Sequence, residues 1–291
     1  MVAVRVSKAD YTEAAGQQRD NVRTCKMERE IALTGGRTTT GVVRIGSTVH
    51  RPIGARAAFV HELLRHLGAR EFDGAPRFLG VDNLGREVLS FVPGDVPREL
   101  GDFSDSQLVA AACVLRKLHD ATLDCPLRNT HEIVCHGDAS PCNCVFVDGM
   151  PAAFIDFDNA HAGSRLDDLG YAAWLWIDIG NEDLSIERQG QRVADFFRTY
   201  GLDTDRAIPS IITAQLALAA RTDSANVRAW SDSCRKWVEG NRDKLSTAIA
   251  ARSDNAMRCS PFNETRPRAA SSLRSRASVH GARCDVHVAL R

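Results

Sequence analysis

The stretch that most constrains the fold is VCHGDASPCNCVFVDGMPAAFIDFDNA, residues 134–160. Two short apolar runs in it flank Asp148 and Gly149, a dipeptide that is typical of a tight hairpin turn. A hairpin brings its two ends together, so polar residues before the first strand and after the second lie near one another. The stretch therefore predicts a two-stranded unit with a polar cluster at its open end.

Three side chains of that cluster form a constellation with a chemical meaning. Asn143 follows Asp138 in a D-x-x-x-x-N spacing, and Asp156 lies at the end of the second strand. A carboxylate that accepts a hydroxyl proton, beside an amide and a second carboxylate as hard oxygen ligands, suits Mg²⁺-assisted phosphoryl transfer. Kinases place these groups in H-R-D-x-x-x-x-N followed by D-F-G, where Gly137 here replaces the arginine. The spacing indicates a phosphate-handling site.

Cysteines and tryptophans allow other interpretations. Cys142 and Cys144 could bind a metal as thiolates, but none of the nine cysteines forms a CxxC pair. We therefore expect both to pack as small, semi-buried side chains. Trp174, Trp176 and Trp230 could form an aromatic cage for a quaternary ammonium group. Packing in helix cores is the favoured interpretation of these tryptophans.

The rest of the sequence divides into segments that differ in composition and periodicity. Residues 31–92 interleave β-branched residues with glycines, which predicts a small antiparallel β-sheet lobe. Residues 93–252 follow a Pro-Gly break and carry helical periodicity, which predicts a larger, mainly helical lobe. The polar residues 1–30 predict a weakly ordered leader. Residues 253–291, rich in Arg, Ser and Ala, predict a disordered basic tail.

Composition limits the classes of partner. The 291 residues carry 37 Lys and Arg against 37 Asp and Glu, so nucleic acid is not expected as the main ligand. No apolar run reaches the length of a membrane span, and the N-terminus lacks the apolar core of a signal peptide. We therefore expect a cytoplasmic protein without a membrane partner. The oligomeric state stays open, with a monomer expected.

The order H-G-D-x-x-x-x-N followed by I-D-F resembles the catalytic motif of the aminoglycoside phosphotransferases and their choline kinase-like relatives. The later segment SRLDDLGYAAW resembles the D-P-x-x-D-L-A segment of that family, and residues 31–92 are similar to its nucleotide lobe. The resemblance implies a protein kinase-like bilobal α+β fold. It also implies a small-molecule kinase that uses ATP or GTP with Mg²⁺ to phosphorylate a hydroxyl acceptor.

In the helical lobe, the resemblance implies roles for five residues. Asp138 would be the catalytic base or the residue that orients the acceptor hydroxyl. His136 would brace the loop that carries it. Asn143 and Asp156 would hold Mg²⁺ against the nucleotide phosphates. Asp168 would anchor the catalytic loop from the helix that follows.

Further roles implied by the resemblance concern the nucleotide. Gly35 and Gly36 would form the turn that covers the phosphates. Ser90 to Val92 would face the adenine through backbone groups. Asp158 would line the phosphate or acceptor site, or face water; both interpretations stay open.

The nucleotide-lobe lysine of the family has no counterpart in this chain. The cation at that position is Arg51, with Arg44 as the alternative, and arginine can hold phosphate oxygens with two donors. Glu62 is the nearest candidate for its acidic partner. The missing lysine supports a second hypothesis beside the kinase, namely a nucleotide-binding pseudokinase or regulatory module without phosphoryl transfer.

The acceptor is not determined by the sequence. Asp178, Glu182, Asp183 and Glu187 follow the helix of Asp168, where this family builds acceptor sites. They would suit a cationic acceptor, but exposed helix ends are often acidic in any case.

Overall fold

A computed structural model describes residues 29–33 and 40–251 of the chain. The predicted tail lies outside these residues, and so does the predicted leader apart from residues 29 and 30, of which Glu30 begins the first strand. Gly35 and Gly36, predicted to cover the phosphates, also lie outside them.

The N-terminal part is a five-stranded antiparallel sheet with one helix packed on it. Its strands run in the order β1-β2-β3-β5-β4. The helix α1 forms because its apolar residues recur at helical spacing, and it buries Val60, Leu63, Leu64 and Leu67. The elements are β1 (Glu30–Ala32), β2 (Val43–Ile45), β3 (Thr48–Pro52), α1 (Ala57–Ala69), β4 (Phe78–Val81) and β5 (Arg86–Ser90).

A short connector links this sheet to the helical part. Asp95 pairs with Phe146, a residue of the second lobe, through two backbone hydrogen bonds of 2.9 and 2.7 Å. Gly94 has φ +147°, and a Cβ there would collide with the Phe146 carbonyl. The connector therefore needs glycine to lie against the second lobe.

The C-terminal part is mainly helical and carries two short strand pairs, β6 with β9 and β7 with β8. Its first helix begins with a capping box, in which Ser104 and Gln107 exchange side-chain to backbone hydrogen bonds. The elements are α2 (Asp105–Asp120), β6 (Ile133–Cys135), β7 (Cys144–Val147), β8 (Met150–Phe154), β9 (His161–Gly163), α3 (Arg165–Ile177), α4 (Ile186–Tyr200), α5 (Ala207–Arg221), α6 (Ala225–Gly240) and α7 (Arg242–Ala251).

The central helix of this part is α3, whose residues are nearly all buried. It packs closely on α5, since a Cβ on Gly170 would lie 2.5 Å from the carbonyl carbon of Ser210. Residues 207–230 do not form one continuous helix. The chain instead breaks at 222–224, because Ser224 caps a new helix by accepting a hydrogen bond from the Val227 N–H.

Both the small antiparallel sheet and the larger helical lobe were predicted, and both are confirmed. No helix in the described ranges 29–33 and 40–251 is long and apolar enough to cross a membrane.

Candidate active site

A cavity of about 640 Å³ lies between the sheet and the helical lobe. Its volume is in the range of pockets that enclose small-molecule ligands. Several residues that the sequence singled out line it together, namely Arg51, Ser90, Val92, Asp138, Asn143 and Asp156.

The hairpin β7–β8 forms as predicted, with Asp148 and Gly149 at its turn in left-handed conformations. The loop before it turns sharply at Gly137, which has φ +78°. A Cβ on Gly137 would collide with the carbonyl of Asn159. This contact explains why a glycine stands where protein kinases have arginine.

His136 is fully buried behind the cavity wall. Its Nε2 donates to the Ile155 carbonyl at 3.1 Å, and its Nδ1 accepts from the Asp138 N–H at 3.2 Å. A neutral ring satisfies both hydrogen bonds at once. His136 thus links the loop that carries Asp138 to the end of β8, and it packs on Phe157 with ring centroids 4.5 Å apart.

Asp168 lies under the same loop and is almost completely buried. Its carboxylate accepts hydrogen bonds from the backbone N–H groups of His136 and Gly137, the latter at 2.8 Å. His119 donates a third from Nε2 at 3.1 Å. Burial alone would raise the pKa of Asp168, but the donors and the charge of His119 outweigh it and hold the pKa below its usual range.

Asp138 points into the cavity, where one carboxylate oxygen has a protein partner. The Tyr171 hydroxyl donates to its Oδ1 at 2.7 Å. Burial and the nearby Asp138 charge raise the pKa of Tyr171 well above its usual range, so this hydroxyl stays a donor. The other oxygen of Asp138, a residue that lines the cavity, has no hydrogen-bond partner within residues 29–33 and 40–251.

Asn143 and Asp156 lie at the open end of the β7–β8 hairpin. The Asn143 Nδ2 donates to the Asp138 carbonyl at 3.1 Å, so its amide oxygen is the atom left for a ligand. Asp156 has the left-handed angles φ 64° and ψ 66°, which aspartate tolerates better than most residues. Burial and the neighbouring Asp158 charge raise the pKa of Asp156 against the opposing charge of Arg51.

Arg51 crosses between the two lobes and holds three carboxylates. Its Nε donates to Glu87 at 2.6 Å, while Nη1 and Nη2 donate to Asp156 at 3.1 Å and Asp158 at 2.6 Å. Burial alone would lower its pKa, but the charges of Asp158 and Glu87 outweigh this and raise it. Asp158 is therefore a direct partner of Arg51.

The prediction that Glu62 pairs with Arg51 is wrong. Glu62 lies on the exposed face of α1, since the buried face of that helix is occupied by its apolar residues. The buried partner is Glu87, which is directly opposite Arg51 in the β3–β5 pairing. The α1 residue that reaches this pair is His61, whose Nε2 is 2.7 Å from Glu87 Oε2.

Arg44, the alternative cation, is engaged elsewhere. Its guanidinium stacks on the Phe91 ring at 3.8 Å, and its Nε donates to the Gly46 carbonyl at 2.7 Å. At the end of β5, the Ser90 hydroxyl accepts from the Arg77 N–H at 2.8 Å and so holds the sheet edge. Val92 lines the cavity, and its backbone has no hydrogen-bond partner among the described residues.

The tryptophans divide into two kinds. Trp174 and Trp176 are buried in the helical core, as the packing interpretation predicted. Trp230 is partly exposed, stacks on Trp174 with ring centroids 4.8 Å apart, and lines the cavity.

The cysteines of the opening stretch occupy different environments. Cys144 is buried, and its burial raises the pKa of the thiol to about 12, which disfavours a thiolate ligand. Cys142 is half-buried and lines the cavity.

Sequence reasoning missed Glu87, Tyr171 and Arg221, although all three contact the predicted site. Arg221 donates from Nη2 to the Gly137 carbonyl at 2.9 Å, and its guanidinium carbon is 5.6 Å from the centroid of the Tyr171 ring. Tyr171 follows Asp168 by three residues and so shares its helix face, a signal that could have identified it. Arg221 comes from a distant helix and carries no local signal.

Comparisons with known proteins agree with this geometry. The model of the phosphotransferase enzyme family matches residues 124–209, a segment that contains the catalytic loop, the hairpin and Asp168. The trifolitoxin immunity protein of Rhizobium leguminosarum bv. trifolii is 31% identical over 263 aligned residues, which cover 77% of this chain and 100% of that protein.

Two solved structures show the fold. A choline kinase from Cryptosporidium parvum Iowa II is 9% identical with a TM-score of 0.52, over 77% of this chain and 91% of that chain. A microcompartment-associated aminopropanol kinase is 14% identical with a TM-score of 0.50, over 77% of this chain and 94% of that chain. The predicted kinase-like bilobal α+β fold is confirmed, and the chain belongs to the phosphotransferase enzyme family.

Proposed function

We propose that this protein transfers the γ-phosphate of ATP, or of GTP, to a hydroxyl group of a small molecule, with Asp138 as the base. The observation that carries the proposal is the common cavity lined by Arg51, Asp138, Asn143 and Asp156. One cation, one free carboxylate oxygen and two oxygen ligands are the groups that such a transfer requires.

The nucleotide would enter between the sheet and the connector. The unpartnered backbone of Val92 is suited to the edge of the base, and Arg51 is suited to the phosphates. Arg51 is held from the sheet side by Glu87 at 2.6 Å, and its other two donors bind Asp156 and Asp158 of the helical lobe, where bound phosphates would compete for them. An arginine fork binds phosphate oxygens with two donors, so lysine is not required for this task.

The residues present fit a magnesium ion. The Asn143 amide oxygen and the Asp156 carboxylate are hard oxygen ligands at one side of the cavity. The raised pKa of Asp156, due to burial and to Asp158, marks a position where added positive charge is favourable. When bound, Mg²⁺ would neutralise the charge that develops on the phosphates during transfer.

Asp138 would accept the proton of the acceptor hydroxyl through the oxygen that Tyr171 leaves free. Tyr171 fixes the rotation of the carboxylate, while Asp168, His136 and Arg221 hold the loop behind it. Such positioning of a reacting group raises the reaction rate, because less entropy is lost on reaching the transition state. Use of a nucleoside triphosphate goes with the expected cytoplasmic location.

The pseudokinase alternative is less well supported. It rested on the missing lysine, and Arg51 supplies a buried cation at the corresponding place. A pseudokinase would be stabilised thermally by Mg-nucleotide without turning it over.

The test is Mg-ATP turnover against a panel of hydroxylated acceptors, including aminoglycosides and trifolitoxin, with Asp138→Asn as the critical variant. We expect a loss of roughly 10²–10⁴-fold in kcat, as for removal of a general base. Asp148→Asn is the matched control, since Asp148 lies exposed at the hairpin turn. Equal activity of the two variants would refute the role of Asp138.

A further inference from the structure

A shelf of three side chains lies beside Asp138 on the cavity wall: Tyr171, Leu175 and Trp230. Tyr171 contacts the Asp138 carboxylate directly at 2.7 Å. Leu175 is one helical turn further along α3 and faces the same way. Trp230 comes from α6 and joins the shelf through Trp174, whose ring meets Tyr171 edge-on with centroids 6.1 Å apart.

The shelf offers a surface on which a flat ring can stack. Trp230 and Trp174 are stacked with an angle of 22° between their planes, and Trp174 is buried while Trp230 borders the cavity. The stack can therefore continue by one ring on the cavity side. Base-like rings stack on aromatic side chains with little dependence on their polar edges.

The charges around the shelf disfavour a cationic acceptor. The carboxylates that line the described part of the cavity are Asp95, Asp138 and Asp156. Asp156 is paired with Arg51, and Asp95 lines the cavity from the connector, where its backbone pairs with Phe146. Asp138 is the carboxylate that contacts the shelf directly, through Tyr171, and it is needed for the acceptor hydroxyl.

The acidic residues that sequence reasoning offered for a cationic acceptor lie elsewhere. Asp178 accepts from the Asn181 Nδ2 at 3.0 Å and is not among the residues that line the described cavity. Glu182 and Asp183 are exposed beyond it. On the other side of the Tyr171 ring, Arg221 places a fixed positive charge that repels a second cation.

We propose that the shelf is the acceptor subsite and that it selects uncharged alcohols carrying a flat aromatic ring, rather than polyamines or quaternary amines. The role as acceptor subsite rests on the proposed phosphotransferase function, but binding of the ring compound can be measured without phosphoryl transfer. Trp230 is the specificity-determining residue of this subsite.

The first experiment is calorimetric titration of the full chain in the presence of Mg-ADP. The uncharged probes are uridine and 4-hydroxybenzyl alcohol, and the cationic probes are choline and kanamycin. We expect the uncharged ring compounds to bind at least about tenfold more tightly than the cationic ones, as one stacked ring allows. Tighter binding of choline or kanamycin, or no binding of either uncharged probe, overturns the proposal.

The second experiment tests Trp230 itself. In Trp230→Ala we expect the dissociation constant for uridine to rise about tenfold, with that for ADP unchanged, while Trp230→Phe retains most of the affinity. Trp237→Ala is the control, because Trp237 lies on the same helix and packs on the core without lining the described cavity. Unchanged uridine binding in Trp230→Ala contradicts the proposal.

The two experiments distinguish a failure of the subsite proposal from a failure of the proposed phosphotransferase function. Uridine binding that depends on Trp230, without phosphorylation of any acceptor, supports the subsite and refutes the phosphotransferase function. Phosphorylation of kanamycin at equal rates in wild type and Trp230→Ala supports the function and refutes the subsite.

Discussion

Replacing Asp168 by Asn should weaken both the fold and the catalytic loop. The carboxylate accepts from two backbone N–H groups and from His119 in a fully buried position. An asparagine of the same shape keeps one acceptor oxygen and turns an NH₂ group toward a donor. At least one of the N–H groups of His136 and Gly137, or that of His119, then has no acceptor.

The magnitude follows from these contacts. An unsatisfied buried donor costs about 1–3 kcal/mol, and the loss of charge weakens the remaining hydrogen bonds, so we expect a total of about 2–6 kcal/mol. That is a large share of the roughly 5–15 kcal/mol by which a domain is stable. For a chain of this size it lowers the melting temperature by roughly 5–20 °C. Urea unfolding followed by tryptophan fluorescence measures the change.

Asp167→Asn provides the matched control on the same helix. Asp167 is exposed and accepts one hydrogen bond, from the Ser164 N–H at 2.8 Å, and asparagine can still cap the helix. We expect a cost below about 1 kcal/mol. Equal destabilisation by the two substitutions would refute the account of Asp168.

The pH dependence gives a second check on Asp168. The pKa of Asp168 is lower in the folded protein than in the unfolded chain, where it is about 3.9. Its contribution to the unfolding free energy is therefore fully present above that unfolded pKa, and it is lost as the pH falls through the folded pKa. The difference in unfolding free energy between wild type and Asp168→Asn should therefore shrink below about pH 4. A difference that stays constant down to pH 2 would show that the carboxylate charge does not contribute.

Two further substitutions test the nucleotide site and the helical core. Arg51→Lys keeps the charge but loses the fork that reaches Glu87 and the helical lobe, so the KM for ATP should rise about tenfold in a steady-state assay. The control is Arg86→Lys, because Arg86 pairs with Asp82 and does not line the described cavity. Equal changes of the KM for ATP in the two variants would contradict the role of Arg51. Gly170→Ala should cost about 1–3 kcal/mol in urea unfolding, because its Cβ would lie 2.5 Å from the Ser210 backbone, whereas Gly240→Ala meets nothing within 4 Å and should be nearly neutral.

Sequence reasoning succeeded where the signal was local. The hairpin, the α2 capping box and the α1 face were predictable because turn chemistry, capping and helical spacing act over a few residues. The loop that joins Asp138 to Asn143 belongs to the same class.

Sequence reasoning failed where the outcome depended on pairing between distant segments. Glu87 became the partner of Arg51 through the register of β3 with β5, and a shift of one residue would have turned it to the other face. Arg221 reaches the catalytic loop from α5, which only the packing of α3 on α5 determines.

The Arg51 cluster has a consequence for the folding of this chain. Glu87, Asp156 and Asp158 bring three negative charges around one guanidinium, and unshielded carboxylates at such distances repel one another strongly. Arg51 thus acts as an internal counterion, which allows the loop after β8 to assemble before any metal or nucleotide arrives. Arg51→Ala should then lower the unfolding free energy even when metal and nucleotide are absent, because three carboxylates lose their counterion.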